Sequence, residues 1–359
     1  MSNMADQMDV WALTEWDKPL QKMRLPKPTL QGRDVLLRVT HAGVCHSDLH
    51  TAEGFYDVGK GQRFYVKDRG ITLPRALGHE ICGEVVAVGP DVAAGSLAVG
   101  SRQIVYPWLG CAACTRCRQE EDNLCAAQRG LGTLQHGGFA EYVVVPDPKY
   151  LVDLGSLDPA VACTFGCSGI TTLSAVGKVM PLPPDEPVLL IGAGGLGLAA
   201  ISVLRSYGHR AIVSADISDE KLDGARAAGA SQTVNTAGPD AATKILAATG
   251  GPVLAVIDFV NSSATAALVN GLVAKGAKWV QVGVMGGSLE LSLVGNIFKG
   301  LTISSNITGN LADLHALVKM AKDGKLAPVP VQKMDWNDVN EAMGLLKAGK
   351  VTGRVVLVK

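Results

Sequence analysis

Eight consecutive residues, Gly43-Val44-Cys45-His46-Ser47-Asp48-Leu49-His50, carry a thiol, two imidazoles, a hydroxyl and a carboxylate with no amphipathic period to account for them. Groups of this kind are costly to bury together unless they bind a metal or pass protons. Thirty-four residues after Cys45 stands His79, in Gly78-His79-Glu80, and Cys167 follows much later in the chain. Cysteine, histidine and cysteine make a three-ligand zinc set with a fourth position open for water or substrate. Taken alone, His79 reads more readily as a hydrogen-bonded core histidine; the company of the two cysteines reverses that reading.

A second constellation is Cys111, Cys114, Cys117 and Cys125, four sulfurs inside fifteen residues. Four thiolates at this spacing fit a closed structural zinc site that stabilises a lobe rather than reacting. Iron–sulfur clusters use similar cysteine runs, and four unrelated cysteines are the plain alternative. Cys82 and Cys163 read as small core residues, although Cys163 also competes with Cys167 for the third ligand position.

The third constellation is Gly192-Ala193-Gly194-Gly195-Leu196-Gly197, which follows the apolar run Val188–Ile191 and opens an Ala-rich helical pattern from Leu198 to Tyr207. Asp216 lies nineteen positions beyond Gly197. In this setting the glycines have mechanical roles: a tight turn, close approach to a pyrophosphate, and helix-on-strand packing, with phosphates at the helix N-terminus. Asp216 is placed to accept hydrogen bonds from the adenosine ribose, and its charge would repel a 2′-phosphate, which favours NAD over NADP. Arg210 lies near enough to temper that preference.

The elements that must position these groups divide into two textures. A chain of 359 residues, 47% hydrophobic, is long enough for two domains. Its 42 glycines suit tight turns better than a helical bundle. From Val10 to Val145 short β-like runs such as Asp34–Thr40 and Gly83–Gly89 alternate with Gly, Pro and Asp. Residues 51–77 are polar and irregular and read as a long excursion over a site. From Pro187 apolar strands alternate with helical patterns, the sign of parallel βαβ units. The candidate strands are Pro187–Gly192, Arg210–Asp216, Val253–Phe259, Trp279–Val284 and Leu301–Ser304. Two helical patterns, Leu311–Lys322 and Trp336–Lys347, precede a last strand, Arg354–Val358, expected to return to the first domain. The expected domains are therefore 1–165 with 310–359, discontinuous, and 166–309.

Thirty-three basic and 33 acidic residues cancel without a basic stripe, so neither nucleic acid nor an anionic membrane is an expected partner, and a small molecule is. Pro187–Leu204 is eighteen residues without a charge, the length of a membrane span, but its glycines argue for a strand and turn. Met1–Val10 has no basic residue and no apolar run of the secretory kind. A cytoplasmic protein is expected.

Together, the Gly43–His50 segment, Gly78-His79-Glu80, the four-cysteine lobe and the glycine turn, in that order, resemble the medium-chain, zinc-dependent alcohol dehydrogenase family over nearly the whole chain. The resemblance implies an α/β fold: a GroES-like β-rich catalytic domain plus a Rossmann coenzyme domain with a doubly wound parallel sheet. It implies two zinc ions per subunit and NAD. Cys45, His79 and Cys167 would hold the catalytic zinc, with Glu80 a transient ligand, and the four-cysteine lobe the structural one. Cys-Ser-Gly-Ile-Thr-Thr from Cys167 matches the family better than the surroundings of Cys163. Asp48 would bond the far nitrogen of His79 and fix its orientation. Ser47 would bond the substrate oxygen and His50 pass its proton to solvent. His46 and Arg354 match pyrophosphate-binding positions, Asp216 and Lys221 ribose-binding ones, with Val284 a further cofactor position. Tyr56 and Trp108 match substrate-pocket positions. Such a site lets a metal acidify an alcohol before hydride leaves carbon, and run backwards it reduces an aldehyde or ketone.

The interval from Cys45 to His79 is about ten residues longer than in the family's shorter members, which bears on the substrate entrance. The short segment after Cys125 resembles the tetrameric microbial branch, and a homotetramer is expected. Cys167 argues against a polyol or sorbitol dehydrogenase, which often has glutamate there. A zinc- and dinucleotide-binding protein without turnover is the non-enzymatic alternative.

Overall fold

The computed structural model describes residues 7–359; the opening residues of Met1–Val10, the stretch bearing on export, lie outside the described part. The strand Val35–Val44 organises the N-terminal half. It pairs antiparallel with Glu80–Val88 along one side, and on the other with Tyr142–Val145 over its first residues and Arg354–Val358 over its last. Arg102–Val105 and Leu151–Asp153 extend one edge, and Val331–Asp335 the other. A smaller sheet of Gln21–Pro26, Gln7–Leu13 and Arg75–Ala76 lies alongside and gives Leu13 to the same core. The last strand thus returns to the first sheet, as expected for the tail after residue 310.

From Val188 onward six parallel strands form one sheet, in the order Gln232–Asn235, Ile212–Asp216, Val188–Ile191, Val253–Asp258, Val273–Gln281, Thr302–Ser305. Val188 and Leu190 enter the core on one face, Leu189 and Ile191 the core on the other. Burial on both faces is why this strand reads as an unbroken apolar run. The sheet order reverses beside Val188–Ile191, which opens a ligand crevice at the carboxyl ends of the strands. The charge-free run from Pro187 divides into this strand, the glycine turn and the helix Gly195–Ser206. Among the described residues no single helix is long and apolar enough to cross a membrane.

Three local expectations need correction. The expected strand Trp279–Val284 overlaps only the last three residues of Val273–Gln281, whose exposed Lys275 and Gly276 break the apolar pattern before it, and Val282–Val284 lie beyond its end. Gln232–Asn235 is an edge strand with one buried apolar residue, Val234, too little for a recognisable period. Residues 51–77 are ordered into elements: the end of the helix His46–Glu53, a hairpin of Phe55–Gly59 and Gln62–Tyr65, a 3-10 turn Val66–Arg69 and the short strand Arg75–Ala76. The hairpin's second strand is exposed at every residue, so no alternation marked it.

The two cores meet around Phe165, which packs against both. Helix Leu311–Lys322 also joins them, giving Leu314 and Val318 to the first and Leu317 to the second.

Candidate active site

Three separate segments deliver the reactive groups, and Asp48 is the knot between two of them. Strand Val35–Val44 ends at Cys45, which caps the helix His46–Glu53. The Cys45 backbone N–H donates to Asp48 Oδ2 at 2.9 Å and the Gly78 N–H to Oδ1 at 3.0 Å. The same Oδ1 lies 3.2 Å from His79 Nδ1, with both side chains 2% exposed. The carboxylate therefore fixes the ring and presents Nε2 to the site, the arrangement metal-bound histidines use. Burial opposes a charge on His79, but Asp48 overrides it and holds the imidazole well above its ordinary pKa.

Cys45 Sγ, a His79 ring nitrogen and Cys167 Sγ lie within 4.8 Å of one another. Hydrogen bonding from Cys167, against the effect of burial, draws Cys45 well below the usual thiol pKa, while the same contact and burial push Cys167 well above it. Two sulfurs this close share one proton; making both of them thiolates requires a cation. Two thiolates and an imidazole, buried and converging, are a zinc donor set. Cys163 is excluded from it: its thiol is fully buried, donates to Ala160 O at 3.4 Å and is pushed up by burial.

Glu80 takes a part the motif alone did not indicate. It is 0% exposed, accepts from the Ser168 N–H at 3.1 Å through Oε1, and meets Arg354 Nη2 at 2.5 Å through Oε2. Burial raises its pKa while Arg354 opposes the rise. It thereby ties the residue after His79 to the residue after Cys167 and to the last strand, and its carboxylate is engaged there by Ser168 N–H and Arg354. A Cβ on Gly43 would sit 2.1 Å from Glu80 Oε2, so this packing requires glycine.

The glycine turn has the form its residues implied. Gly192 has φ +100°, and a Cβ on Gly197 would lie 2.0 Å from the Gly192 carbonyl oxygen. Gly194 faces open space within 4 Å, the approach a pyrophosphate needs, whereas Gly195 packs on Arg354 Cδ. Gly194 caps helix Gly195–Ser206 without a side-chain bond, which leaves its N–H groups available. Leu196 sits in the helix's first turn. Asp216 ends its strand beside the turn, accepting from Ala193 N–H at 2.8 Å through Oδ2 and from Ser218 N–H at 3.0 Å through Oδ1. Lys221 stands on the next helix, Asp219–Ala228. Arg354 Nε is buried without an acceptor and His46 is exposed, so each has a donor to offer an anion.

In the cysteine lobe the sulfur separations are 3.5 Å for Cys114–Cys117, 3.8 Å for Cys114–Cys125 and 3.9 Å for Cys111–Cys117. Tetrahedral Zn–S bonds of about 2.3 Å require sulfurs about 3.8 Å apart. The backbone N–H groups of Ala113 and Cys114 draw Cys111 down to about 6, and burial pushes Cys117 up to about 12.

Ser47 Oγ lies 3.2 Å from Cys45 Sγ and 3.3 Å from His79 Nε2, at the mouth of the donor set. Among the described residues no direct bond joins it to His50, whose Nε2 is buried without a partner and whose Nδ1 is 3.7 Å from Glu53. Tyr56 lies with its ring 5.1 Å from that of His50, and Trp108 with its ring 5.4 Å from that of His79, its Nε1 donating to Gly166 O. Val284 is 45% exposed, beyond the end of its strand.

Two family models match, the alcohol dehydrogenase GroES-like domain over residues 31–156 and the zinc-binding dehydrogenase over residues 195–323. An NAD-dependent alcohol dehydrogenase of Sulfurisphaera tokodaii is 36% identical over 98% of this chain and 100% of its own. The chain belongs to the zinc-dependent medium-chain alcohol dehydrogenase family. Saccharolobus solfataricus has an NAD-dependent alcohol dehydrogenase 36% identical over 96% of this chain and 98% of its own. The crystal structure of the alcohol dehydrogenase from the archaeon Aeropyrum pernix superposes with a TM-score of 0.89 at 30% identity, over 98% of this chain and 100% of that one.

Within this family member the sequence concealed two contacts. Ser168 acts through its backbone, which no side-chain motif reports. The hairpin reaches the loop that follows the strand Val273–Gln281: Gly287 N–H points to Asp57 O at 3.4 Å, and a Cβ on Gly59 would lie 2.8 Å from the Gly287 carbonyl oxygen. Two glycines in facing turns were the available signal.

Proposed function

We propose that this alcohol dehydrogenase interconverts alcohols with aldehydes or ketones at Cys45, His79 and Cys167, by the following division of roles. The observation that carries the reading is the convergence of three zinc-type donors from distant segments, with Ser47 in reach of two of them. When bound, zinc supplies the Lewis acidity that makes an alcohol hydroxyl acidic near neutral pH, and NAD supplies the hydride acceptor. Asp48 orients the His79 ring. Ser47 Oγ would accept the substrate's hydroxyl proton as it releases its own, and His50, whose Nε2 is free, would pass the proton on to solvent. Tyr56 and Trp108 wall the substrate site and exclude water. Arg354, His46 and the N-terminus of helix Gly195–Ser206 bind the pyrophosphate; Asp216 and Lys221 bind the adenosine ribose, and Val284 flanks the nicotinamide end.

The four-cysteine lobe holds a second, structural zinc, so each subunit carries two ions. The enzyme is cytoplasmic, its partner a small alcohol or aldehyde rather than nucleic acid or membrane, consistent with zero net charge. Residues 1–165 with 310–359 form the catalytic domain and 166–309 the coenzyme domain. A homotetramer is supported by the helix Leu293–Lys299, which buries no residue and leaves Leu293 82%, Ile297 75% and Phe298 74% exposed beside the edge strand Thr302–Ser305.

The test pairs two substitutions. Cys167→Ala should lose one zinc per subunit and NAD reduction with a panel of alcohols, while Cys163→Ala keeps both. The reverse outcome overturns the ligand assignment, and a two-zinc, NAD-binding protein inert toward every alcohol and carbonyl tried overturns the enzymatic roles.

A further inference from the structure

A cavity of 240 Å³ lies where the two cores meet, running along helix Gly195–Ser206 from Gly195 to Val203 with Arg354 in its wall. Val161 and Phe165 wall it from the segment leading to Cys167, Ala199 and Val203 from that helix, Leu317 and Leu326 from the return to the first sheet. Its hydroxyls are committed elsewhere: Thr164 Oγ1 donates to Val161 O, Ser168 Oγ to Thr164 O, and Ser202 Oγ to Ala327 O. Of its charged groups Asp158 pairs with Lys333 and Arg354 with Glu80, and Arg354 Nε is a buried donor without an acceptor in the wall. Asp158, Ala327 and Pro328 on its rim are exposed, but most of the remaining wall is apolar, and an apolar cavity of about 150 Å³ takes benzene. By that proportion this one takes about nine or ten non-hydrogen atoms.

We propose that this cavity binds a small uncharged apolar molecule of substituted-benzene size, and that its occupancy is linked to NAD affinity. The linkage rests on the NAD reading of Gly192–Gly197. The linkage would run through walls the two sites share: Gly195 and Arg354 at the pyrophosphate position, and Phe165, Ser168 and Gly169 around Cys167. Binding linkage is reciprocal: the factor by which the guest changes NADH affinity equals the factor by which NADH changes the guest's.

Fluorobenzene titrated into the zinc-loaded enzyme and followed by fluorine NMR tests this, with and without saturating NADH. The expected result is one saturable site, weakened at least about tenfold in both Ala199→Leu and Ala321→Leu, which fill the cavity from opposite walls and leave thermal stability unchanged or raised. The NADH and fluorobenzene dissociation constants should shift by a common factor of about five or more. Fluorobenzene affinity unchanged in both variants would place it elsewhere and overturn the site. Cavity-dependent binding with NADH affinity unmoved overturns the linkage, and failure to bind NADH at all overturns the cofactor reading while leaving the cavity assignment to stand on the two variants.

Discussion

Asp48→Asn probes how the catalytic ligands are held. The carboxylate accepts from three groups: Cys45 N–H on Oδ2, and Gly78 N–H with His79 Nδ1 on Oδ1. An asparagine of the same shape can keep its amide oxygen toward Gly78 and His79, but its NH2 then faces the Cys45 N–H, donor against donor. One buried backbone donor loses its partner, a cost of about 1–3 kcal/mol. That cost falls on the segment carrying Cys45, and at 1.4 kcal/mol per tenfold it corresponds to roughly a 10- to 100-fold loss of metal affinity, the range seen when a group behind a metal-bound histidine is removed. The assay is competitive removal of zinc by a colorimetric chelator, which should resolve two ions per subunit. In Asp48→Asn the ion associated with turnover should leave 10- to 100-fold more readily, and the ion of the cysteine lobe should be unaffected. Equal weakening of both ions, or a change under about threefold in either, refutes the role of Asp48 as the tie between Cys45 and His79.

Three further outcomes are expected. Cys114→Ala opens the cysteine lobe and should lower Tm by about 6–12 °C, taking about 3 kcal/mol for loss of a metal site at 2–4 °C per kcal/mol, with alcohol oxidation retained at low temperature; a melting curve with metal analysis checks it. Burial lowers the His50 pKa, with Glu53 opposing. Its neutral, proton-accepting form therefore grows in as pH rises through a midpoint below the ordinary value of about 6.5. The acid limb of kcat/KM for alcohol oxidation should follow that midpoint, and His50→Gln should lose the limb and about 100-fold in rate. Gly59→Val places a branched side chain at φ +86° against the Gly287 carbonyl, at a cost of about 1–3 kcal/mol. It should free the hairpin, seen as faster tryptic cleavage near Lys60 and Arg63 and a raised KM for alcohols.

The residues that identify the chemistry were legible because each constellation is local and each spacing has a mechanical cause. Cys111, Cys114, Cys117 and Cys125 bring four sulfurs together within a single lobe. Gly192 to Gly197 make one turn, where Gly197 leaves room for the Gly192 carbonyl. The parallel strands were legible for a similar reason, since burial on both faces forces unbroken apolar runs such as Val188–Ile191. What stayed hidden has little local pattern: the edge strand Gln232–Asn235 buries one side chain, and the hairpin over 55–65 is held by backbone contacts and by Arg63 over the Phe55 ring.

By itself, then, the sequence determined which groups exist to bind zinc, nucleotide and protons, because side-chain type and short spacing are written in the chain. The tertiary structure alone decided how they cooperate. It added a physical reason to the motif's preference for Cys167 over Cys163, turning one sulfur toward Cys45 and the other toward Ala160 O. It gave Glu80 to Ser168 and Arg354, and it pinned the hairpin against Gly287. These contacts join residues far apart in the chain, so they depend on how the sheets pack, a geometry no local spacing encodes.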